Sequence, residues 1–440
     1  MKVCIYAIAF LFMVSLNAQD AVDFTKKGRD WYVSKSTGSG KLGTKEQPAK
    51  DLGNIIYLLK PNDIIHIAEG VYMSKGKRGS DEINVPVQIY GGYDVTFTKR
   101  APWTDHKTIF TGTNDYKKLT TPRLYIRTDQ QRSKNGQLAE GGLIVVDGII
   151  VDNGPRNRYH HDKDLAIRRK ASPKSQQNPS PESGGIVVVA SHYMNVGVQN
   201  CVVMNTAPTE GAISVRVKKG GKGYIRNNLS INNTGYGIHA RTGYVGNDPK
   251  LVPQFVISNN TSLFNWKHDP VASYGGNALA LDKELTATIT NNVFGFGHFG
   301  GIYNKGANIV LSNNLFTGNS KYDYKEINDE MIVDDIVDEA ERIDASSTGN
   351  STALLQISVA ERWAKIYGNR KELSREAVDA SVSAANSGAN QLRGMLGLNL
   401  QGNTTTMDAE IFLPRLQIEE AIPVGLKNWN GIGCATPRYQ

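Results

Sequence analysis

Short apolar runs recur along the chain, and four of them contain a doubled asparagine. They are Ile225-Arg-Asn-Asn-Leu, Ile257-Ser-Asn-Asn-Thr, Ile289-Thr-Asn-Asn-Val and Leu311-Ser-Asn-Asn-Leu, and Val198-Gln-Asn-Cys-Val is a weaker copy at Asn200. The second asparagines, Asn228, Asn260, Asn292 and Asn314, are spaced by 32, 32 and 22 residues. A repeat of about 20–50 residues predicts a solenoid. Asparagine suits sharp bends and its amide satisfies neighbouring polar groups, so we expect a ladder of stacked amides.

A second set of segments aligns as the strand that opens each coil. These segments are Gly185-Ile-Val-Val-Val-Ala, Ala212-Ile-Ser-Val-Arg-Val, Gly237-Ile-His-Ala-Arg-Thr, Ala278-Leu-Ala-Leu-Asp-Lys and Gly301-Ile-Tyr-Asn-Lys-Gly. Alternate side chains of a strand point to opposite faces. We therefore predict that one set of isoleucines points into the core, namely Ile186, Ile213, Ile238 and Ile302.

The outward positions of the same strands carry most of the candidate chemistry. The first outward position holds Val187, Ser214, His239 and Tyr303, and the second holds Val189, Arg216, Arg241 and Lys305. Asp282 falls between Arg241 and Lys305, although its coil lacks an isoleucine anchor and the placement depends on a one-residue choice. Adjacent strands lie about 4.8 Å apart. Arg216, Arg241, Asp282 and Lys305 would therefore form a stripe about 15 Å long, called here the basic stripe.

The N-terminal region resembles a known family of solenoids. The segments that carry the resemblance are Trp31-Tyr-Val-Ser-Lys-Ser-Thr-Gly, Leu52-Gly-Asn-Ile-Ile-Tyr-Leu-Leu and Ile64-Ile-His-Ile-Ala-Glu-Gly-Val-Tyr. Their order resembles the opening of secreted right-handed parallel β-helix proteins, the pectin lyase-like superfamily, over residues 30–320. The resemblance implies an all-β, right-handed parallel β-helix with an N-terminal capping helix. It does not choose an activity, because this superfamily includes lyases, hydrolases, epimerases and non-enzymes.

The chain divides into four segments on pattern and composition. Residues 1–18 have a basic start, an apolar stretch and a small-residue exit, which predicts a signal peptide and a secreted, periplasmic or cell-surface protein. Residues 19–323 are the predicted β-helix with its cap. Residues 324–400 are predicted as a helical insertion, since the stretches 325–344, 359–368 and 372–397 have helical periodicity. We expect residues 401–440 to pack back onto the solenoid.

Composition and charge narrow the classes of partner. The 440 residues carry a formal net charge of +8, and 40% of them are hydrophobic. An excess this modest points to a partner only where it is concentrated. An exported solenoid with a basic stripe suits an anionic polysaccharide rather than nucleic acid. We further expect a monomer without a membrane span, and no cofactor is required by the sequence, although calcium is left open.

The stripe contains the residue types that β-elimination needs. Cleavage of a uronate polymer by this route requires a cation for the carboxylate, a base for the proton beside it and an acid for the leaving oxygen. We predict the catalytic residues Arg241, Lys305, His239 and Tyr303. The predicted substrate-binding residues are Arg216, Asp282, Lys267, His268 and His298.

Three alternatives remain open at this point. A glycoside hydrolase needs two carboxylates about 5–9.5 Å apart, and Asp282 with Asp269 is the available pair. A non-catalytic carbohydrate-binding or cell-surface protein of the same fold needs no acid or base. The stripe is otherwise an ordinary solvated outer face of the solenoid.

Overall fold

A computed structural model describes most of the predicted solenoid. The described residues are 28–40, 42–73, 80–111, 122–129, 140–153, 184–206, 210–243, 248–266, 275–297, 299–319, 322–327, 329–352, 417–426 and 431–439. The predicted signal peptide lies outside them, as do Lys267, His268, Asp269 and His298. Those predictions therefore stay predictions.

Three nine-stranded sheets make up the fold. The first sheet contains Asp30–Val33, Ile64–Ala68, Gln88–Tyr93, Gly142–Asp147, Met194–Gln199, Lys222–Arg226, Gln254–Ser258, Thr286–Thr290 and Asn308–Ser312. The second contains Gly70–Met73, Thr108–Thr111, Ile150–Asp152, Val202–Met204, Leu229–Thr234, Thr261–Trp266, Val293–Gly295, Leu315–Thr317 and Ser351–Thr352. The third contains Asp81–Ile83, Leu124–Arg127, Ile186–Val189, Ile213–Val217, Tyr236–Thr242, Asn277–Leu281, Gly300–Asn304, Tyr322–Glu326 and Asp329–Met331.

The chain visits the three sheets in turn, so each round of three strands is one coil. Each strand pairs in parallel with the strand of the next coil. Among the described strand pairs, the one between Tyr322–Glu326 and Asp329–Met331 is antiparallel. This arrangement is a parallel β-helix, as predicted. Right-handed winding is the rule for parallel crossover connections, and for this solenoid it stays a prediction.

The core fills the inside of the coils. The four isoleucines predicted to point inward are fully buried members of one continuous hydrophobic cluster: Ile186, Ile213, Ile238 and Ile302. Stacked apolar positions from successive coils thus build the core one layer at a time. The inward half of the strand register was therefore predicted correctly.

A second hydrophobic cluster lies on the outer face of the second sheet. Leu229, Leu263 and Val293 belong to it, and the helix Ile418–Gly425 supplies Ile418, Ala421 and Ile422. The helix approaches closely, since a Cβ on Gly425 would lie 2.4 Å from Leu229 Cδ1. The apolar face of this sheet is thereby removed from water, which stabilises the fold by the usual hydrophobic contribution.

The asparagine ladder is continuous at the corner between the first and second sheets. Asn260 shows its pattern: the side-chain nitrogen donates to Ile225 O at 2.8 Å and to Asn292 Oδ1 at 2.9 Å. Its side-chain oxygen accepts from the backbone nitrogen of Asn228 at 3.0 Å. Each amide therefore satisfies groups on two neighbouring coils.

Both ends of the ladder differ from the sequence prediction. Cys201, not Asn200, occupies the ladder position in its coil, and its backbone nitrogen donates to Asn228 Oδ1 at 3.0 Å. Asn200 instead aligns with the first asparagine of the next pair, and both Asn200 (φ 54) and Asn227 (φ 52) have left-handed backbone. At the other end Asn350 continues the ladder, since its Oδ1 accepts from Asn314 Nδ2 at 3.1 Å.

The helical predictions are not confirmed in the described residues. Where a capping helix was predicted, the structure has two 3-10 turns, Leu52–Asn54 and Ile56–Leu58. The predicted domain boundary at 323 falls inside the strand Tyr322–Glu326, and residues 324–352 contain a four-residue helix, Ile336–Glu339. The remaining helices predicted before residue 400 lie outside the described residues. No helix in the described part of the chain is long and apolar enough to cross a membrane.

The last described residues, 431–439, run along the solenoid and are called here the C-terminal strap. Gly433 N donates to Asn291 O at 2.8 Å, and Ala435 N donates to Asn227 Oδ1 at 2.7 Å. Further along, the Tyr439 hydroxyl donates to Asp147 Oδ1 at 2.7 Å. The strap therefore joins coils that are far apart in sequence.

Candidate active site

The register of the third sheet assembles the basic stripe. Arg216 lies opposite Arg241. Asp282 N donates to Ala240 O at 3.0 Å, and Lys305 N donates to Leu281 O at 3.0 Å. Ala280 lies opposite Tyr303, so the one-residue choice that placed Asp282 was correct. The stripe therefore has the predicted order Arg216, Arg241, Asp282, Lys305.

Three side chains of the third sheet converge at one point, called here the His–Asp–Lys cluster. His239 Nε2 lies 3.0 Å from Asp282 Oδ1. Lys305 Nζ donates to the same oxygen at 3.1 Å and lies 3.3 Å from His239 Nε2. An imidazole, a carboxylate and an amine from three successive coils thus lie within 3.3 Å of one another.

The Nδ1 side of the His239 ring contacts the corner that precedes the strand Ile213–Val217. His239 Nδ1 is hydrogen-bonded to the Glu210 carbonyl oxygen, which can only accept, so Nδ1 carries a proton. Residue 211 is glycine, and a Cβ there would lie 2.8 Å from His239 Cβ. The Tyr236 ring packs edge-on at 4.9 Å between ring centroids. His239 is buried and fixed in orientation by these contacts.

The pKa values of His239 and Asp282 both lie below their ordinary values, for different reasons. Burial lowers the pKa of His239 below its ordinary value; Asp282 opposes that shift, whereas the charges of Lys305 and Arg241 add to it. Burial alone would raise the pKa of Asp282, but hydrogen bonds and charge from His239 and Lys305 outweigh it and hold the pKa well below its usual range. Near neutral pH the carboxyl is therefore ionised. In the neutral imidazole, which carries its proton on Nδ1, Nε2 can accept from Lys305 Nζ, and the bond to Asp282 forms once Nε2 is protonated.

Arg241 is engaged by two carboxylates. Its Nη1 contacts Glu210 Oε2 in an ion pair, and its Nε lies 3.8 Å from Asp282 Oδ2. Glu210 was missed at the sequence level because it sits in a corner outside the repeat positions. Its carboxylate adds a second counter-charge to the basic stripe, beside that of Asp282.

Arg216 is the cation of the stripe that retains no acidic partner among the described residues. Its Nε donates to Thr242 O at 3.2 Å, and its side chain is half-buried. Tyr303 is half-buried too, and its ring lies 5.8 Å from Lys305 Nζ. The residues predicted from sequence are thus brought together, but Arg241 and Lys305 are paired and Arg216 is not.

A further charged position lies two coils toward the N-terminus from the predicted stripe. Arg127 lies opposite Val189, which in turn lies opposite Arg216. Asp129 bridges this position and Lys218, accepting from Arg127 Nε at 3.0 Å and from Lys218 Nζ at 3.1 Å. The segment Leu124-Tyr-Ile-Arg has the same inward and outward alternation as the later coils, and this is the signal that could have revealed it.

Metal ligation is not evident in the described residues. No group of three or more histidine, cysteine, aspartate or glutamate side chains converges within those ranges. The possibility of calcium therefore remains a proposal to be tested together with activity.

Comparisons with known proteins give weak likenesses in structure. No protein-family model matches the chain, and no curated protein matches it in sequence. The structure of pectate lyase Pel9A is matched at 12% identity and a TM-score of 0.40, covering 74% of this chain and 82% of that one. A family 28 exopolygalacturonase of Yersinia enterocolitica is matched at 13% identity and a TM-score of 0.28, covering 68% of this chain and 56% of that one. A rhamnogalacturonan lyase is matched at 11% identity and a TM-score of 0.24, covering 74% and 87%. Likenesses this low transfer no activity to the chain.

Proposed function

We propose that the protein is a secreted polysaccharide lyase that cleaves an anionic, uronate-containing polymer by β-elimination at the His–Asp–Lys cluster. The observation that carries the proposal is the contact between Lys305 Nζ and His239 Nε2 at 3.3 Å. It places a half-buried amine next to a neutral imidazole that can take a proton from it. Lys305 is the more accessible of the two, with 31% of its side chain exposed against 6% for His239.

The first step prepares the base. An ammonium group cannot accept a proton, so Lys305 must lose one before it acts. His239 Nε2 receives it, and the resulting imidazolium donates Nδ1–H to the Glu210 carbonyl and Nε2–H to Asp282. Both acceptors are already in place in the structure. The total charge of the cluster is unchanged by this transfer, since one proton only moves from Lys305 to His239.

The second step is elimination. The free amine of Lys305 takes the proton at C5 of the uronate, beside the carboxylate. The electron pair of that C–H bond forms the C4–C5 double bond, and the C4–O bond breaks. Tyr303 donates its phenolic proton to the leaving oxygen, and the phenolate is reprotonated from the cluster through water. The products are a sugar with a new reducing end and one with an unsaturated non-reducing end.

The carboxylate of the substrate needs a cation, because its charge opposes loss of the neighbouring proton. Arg216 fits this role better than Arg241, since Arg216 has no acidic partner among the described residues. Arg241 is assigned the positioning of Glu210 and Asp282 instead. The stripe thus divides into a substrate-binding end and a proton-transfer end.

The test is an assay of the purified protein with alginate, pectate, ulvan and glycosaminoglycans. Ultraviolet absorbance of unsaturated ends and the number of reducing ends are followed together, with added calcium and with a chelator. A lyase raises both signals on at least one polymer. Loss of activity in the chelator and its return with calcium would add a metal to the mechanism. If no polymer shows increased absorbance, the proposal fails.

Glu210 favours one alternative, a glycoside hydrolase. It brings a second carboxylate to Arg241 beside Asp282, whereas Asp269, the partner expected from the sequence, lies outside the described residues. Hydrolysis would raise the reducing ends without any new absorbance, and Glu210→Gln would abolish it. Binding of a polymer without cleavage would instead identify a non-catalytic carbohydrate-binding protein.

A further inference from the structure

Arg226 on the first sheet carries a charge that nothing described in the structure balances. Its side chain points outward and is half-buried, with the guanidinium 4.7 Å from the centre of the Tyr224 ring. Among the described residues, no carboxylate pairs with it and no acceptor bonds its guanidinium. Burial lowers the pKa of Arg226, and Tyr224 alone opposes the shift.

The acid on the same outward column is already occupied. Asp147 lies opposite Gln199, which lies opposite Arg226, so Asp147 is two strands or about 10 Å away. Its carboxylate accepts from Arg100 Nη2 at 2.8 Å and from the Tyr439 hydroxyl at 2.7 Å. The carboxylate of this column is therefore engaged elsewhere and does not balance Arg226.

Arg226 lines a cavity of about 330 Å³ between the asparagine corner and the C-terminal strap. Arg438 of the strap is a second cation in the lining, and Ser258, Asn259 and Thr436 add hydroxyl and amide groups. Of the described residues that line this cavity, none is acidic. A volume at the lower end of the range for small-ligand sites suits a single sugar acid or a phosphate-sized group.

Electrostatics identifies the chemistry of the occupant. A partly desolvated guanidinium without a partner is costly, and a charge-assisted bidentate bond to an oxyanion offsets that cost. Arginine matches the planar geometry of carboxylate and phosphate oxygens better than lysine does.

We propose that this cavity is a binding site for a small oxyanion, a carboxylate or phosphate group, held by Arg226 and assisted by Arg438. It lies at the first sheet and the C-terminal strap, whereas the His–Asp–Lys cluster lies on the third sheet. The site is therefore separate from the proposed active site and does not depend on the lyase mechanism.

Titration calorimetry at low ionic strength tests the proposal with galacturonate, glucuronate, inorganic phosphate and neutral galactose. We expect at least one anion to bind the wild-type protein and galactose not to bind. Arg226→Gln should weaken that binding at least about tenfold, the loss expected for a charge-assisted pair. The matched control is Arg342→Gln, an arginine beside the first sheet that bonds Asn308 Oδ1 at 3.4 Å and should keep wild-type affinity.

The anion that binds distinguishes a sugar carboxylate from a free phosphate. The proposal is overturned if no anion binds, if galactose binds as tightly as the anions, or if Arg226→Gln retains wild-type affinity. Circular dichroism and thermal unfolding check the fold of each variant. Should Arg226→Gln not fold, Arg226→Lys, which keeps the charge but loses the bidentate geometry, must bind measurably more weakly than the wild type. Lyase assays on the same variants keep a failure here distinct from a failure of the proposed function.

Discussion

At the scale of single residues, Lys305 is the group on which the proposed chemistry depends most. It contacts both other members of the His–Asp–Lys cluster and is the most exposed of the three. His239 is too buried to reach a polymer, and Asp282 is held ionised. Removing the Lys305 amine should therefore abolish proton transfer while leaving the inward-facing core untouched.

Lys305→Gln should lower kcat at least about a hundredfold, the usual contribution of a positioned acid or base. The measurement is the rate of unsaturated-end formation on whichever polymer is cleaved. Lys283→Gln is the matched control, because Lys283 lies on the coil before and 75% of its side chain is exposed. A Lys305→Gln enzyme within about threefold of the wild-type rate would remove Lys305 from the mechanism.

Asp282→Asn should reduce stability in a pH-dependent way. The folded pKa of Asp282 is held below its unfolded value of about 3.9, so its stabilising contribution is present above that pH and is lost as pH falls through the folded pKa. Near neutral pH we expect the variant to be destabilised by about 1–3 kcal/mol, as for a partly buried, hydrogen-bonded charge.

Urea unfolding of wild type and variant between neutral pH and about pH 3 measures this effect, in a range chosen from the unfolded pKa. The difference in unfolding free energy should shrink as the solution becomes acidic. Glu284→Gln, at an exposed carboxylate 3.8 Å from Lys283, should show little difference at any pH. A difference for Asp282→Asn that stays constant through the acid range would contradict the assigned pKa direction.

At the scale of elements, the asparagine ladder governs how one coil stacks on the next. Asn292 is fully buried, donates to Ile257 O at 2.9 Å and to Asn314 Oδ1 at 2.9 Å, and accepts from Asn260 N at 2.8 Å. Its neighbour Asn291 serves a different purpose, since it has left-handed backbone (φ 57) at the bend. The two halves of the doubled asparagine therefore respond differently to substitution.

Asn292→Ala should lower the free energy of unfolding by roughly 3 kcal/mol or more, because several buried groups lose their partners at once. Asn291→Gly should change it by less than about 1 kcal/mol, since glycine adopts the left-handed backbone without strain. Thermal unfolding of both variants measures the contrast. Equal effects at the two positions would mean that the ladder amide adds no more than the bend does.

The sequence predicted the strands and residues that recur in each coil, and it did not reveal those that occur once. The repeated isoleucines and asparagines set the strand register, and the register alone placed Asp282 between Arg241 and Lys305. Glu210 and Tyr236 complete the site from a corner and a strand start, where no period marks them. The capping segment also departs from the prediction, since it folds as two 3-10 turns rather than a helix.

At the scale of the whole molecule, the C-terminal strap and the helix Ile418–Gly425 tie together coils that otherwise contact only their neighbours. In a solenoid, stability is roughly a sum of repeat and nearest-neighbour terms, so a strap along the axis adds long-range coupling. The strap makes its contacts at Asn291, Thr261, Asn227 and Asp147.

Deletion of residues 431–440 should lower the free energy of unfolding by roughly 4 kcal/mol, about 1 kcal/mol for each of the four strap contacts named above. Tyr439→Phe, which removes only the hydroxyl that bonds Asp147, should lower it by about 1 kcal/mol. Thermal and urea unfolding give both values. A deletion variant as stable as the wild type would show that the strap lies on the coils without stabilising them.

The stacking of the His–Asp–Lys cluster across three successive coils limits how the solenoid can change its length in evolution. The ladder can accept another coil among its asparagine rungs, because Asn228, Asn260, Asn292 and Asn314 repeat the same pattern of bonds. Duplication of a coil before Ile213 would lengthen the molecule and leave the cluster intact. Duplication of a coil between His239 and Asp282 would move these two side chains apart by about 4.8 Å more and break the cluster. Coil duplication on the N-terminal side therefore spares the cluster, whereas duplication within it does not; a coil added between Asp147 and Asn227 would also separate the strap from Asp147.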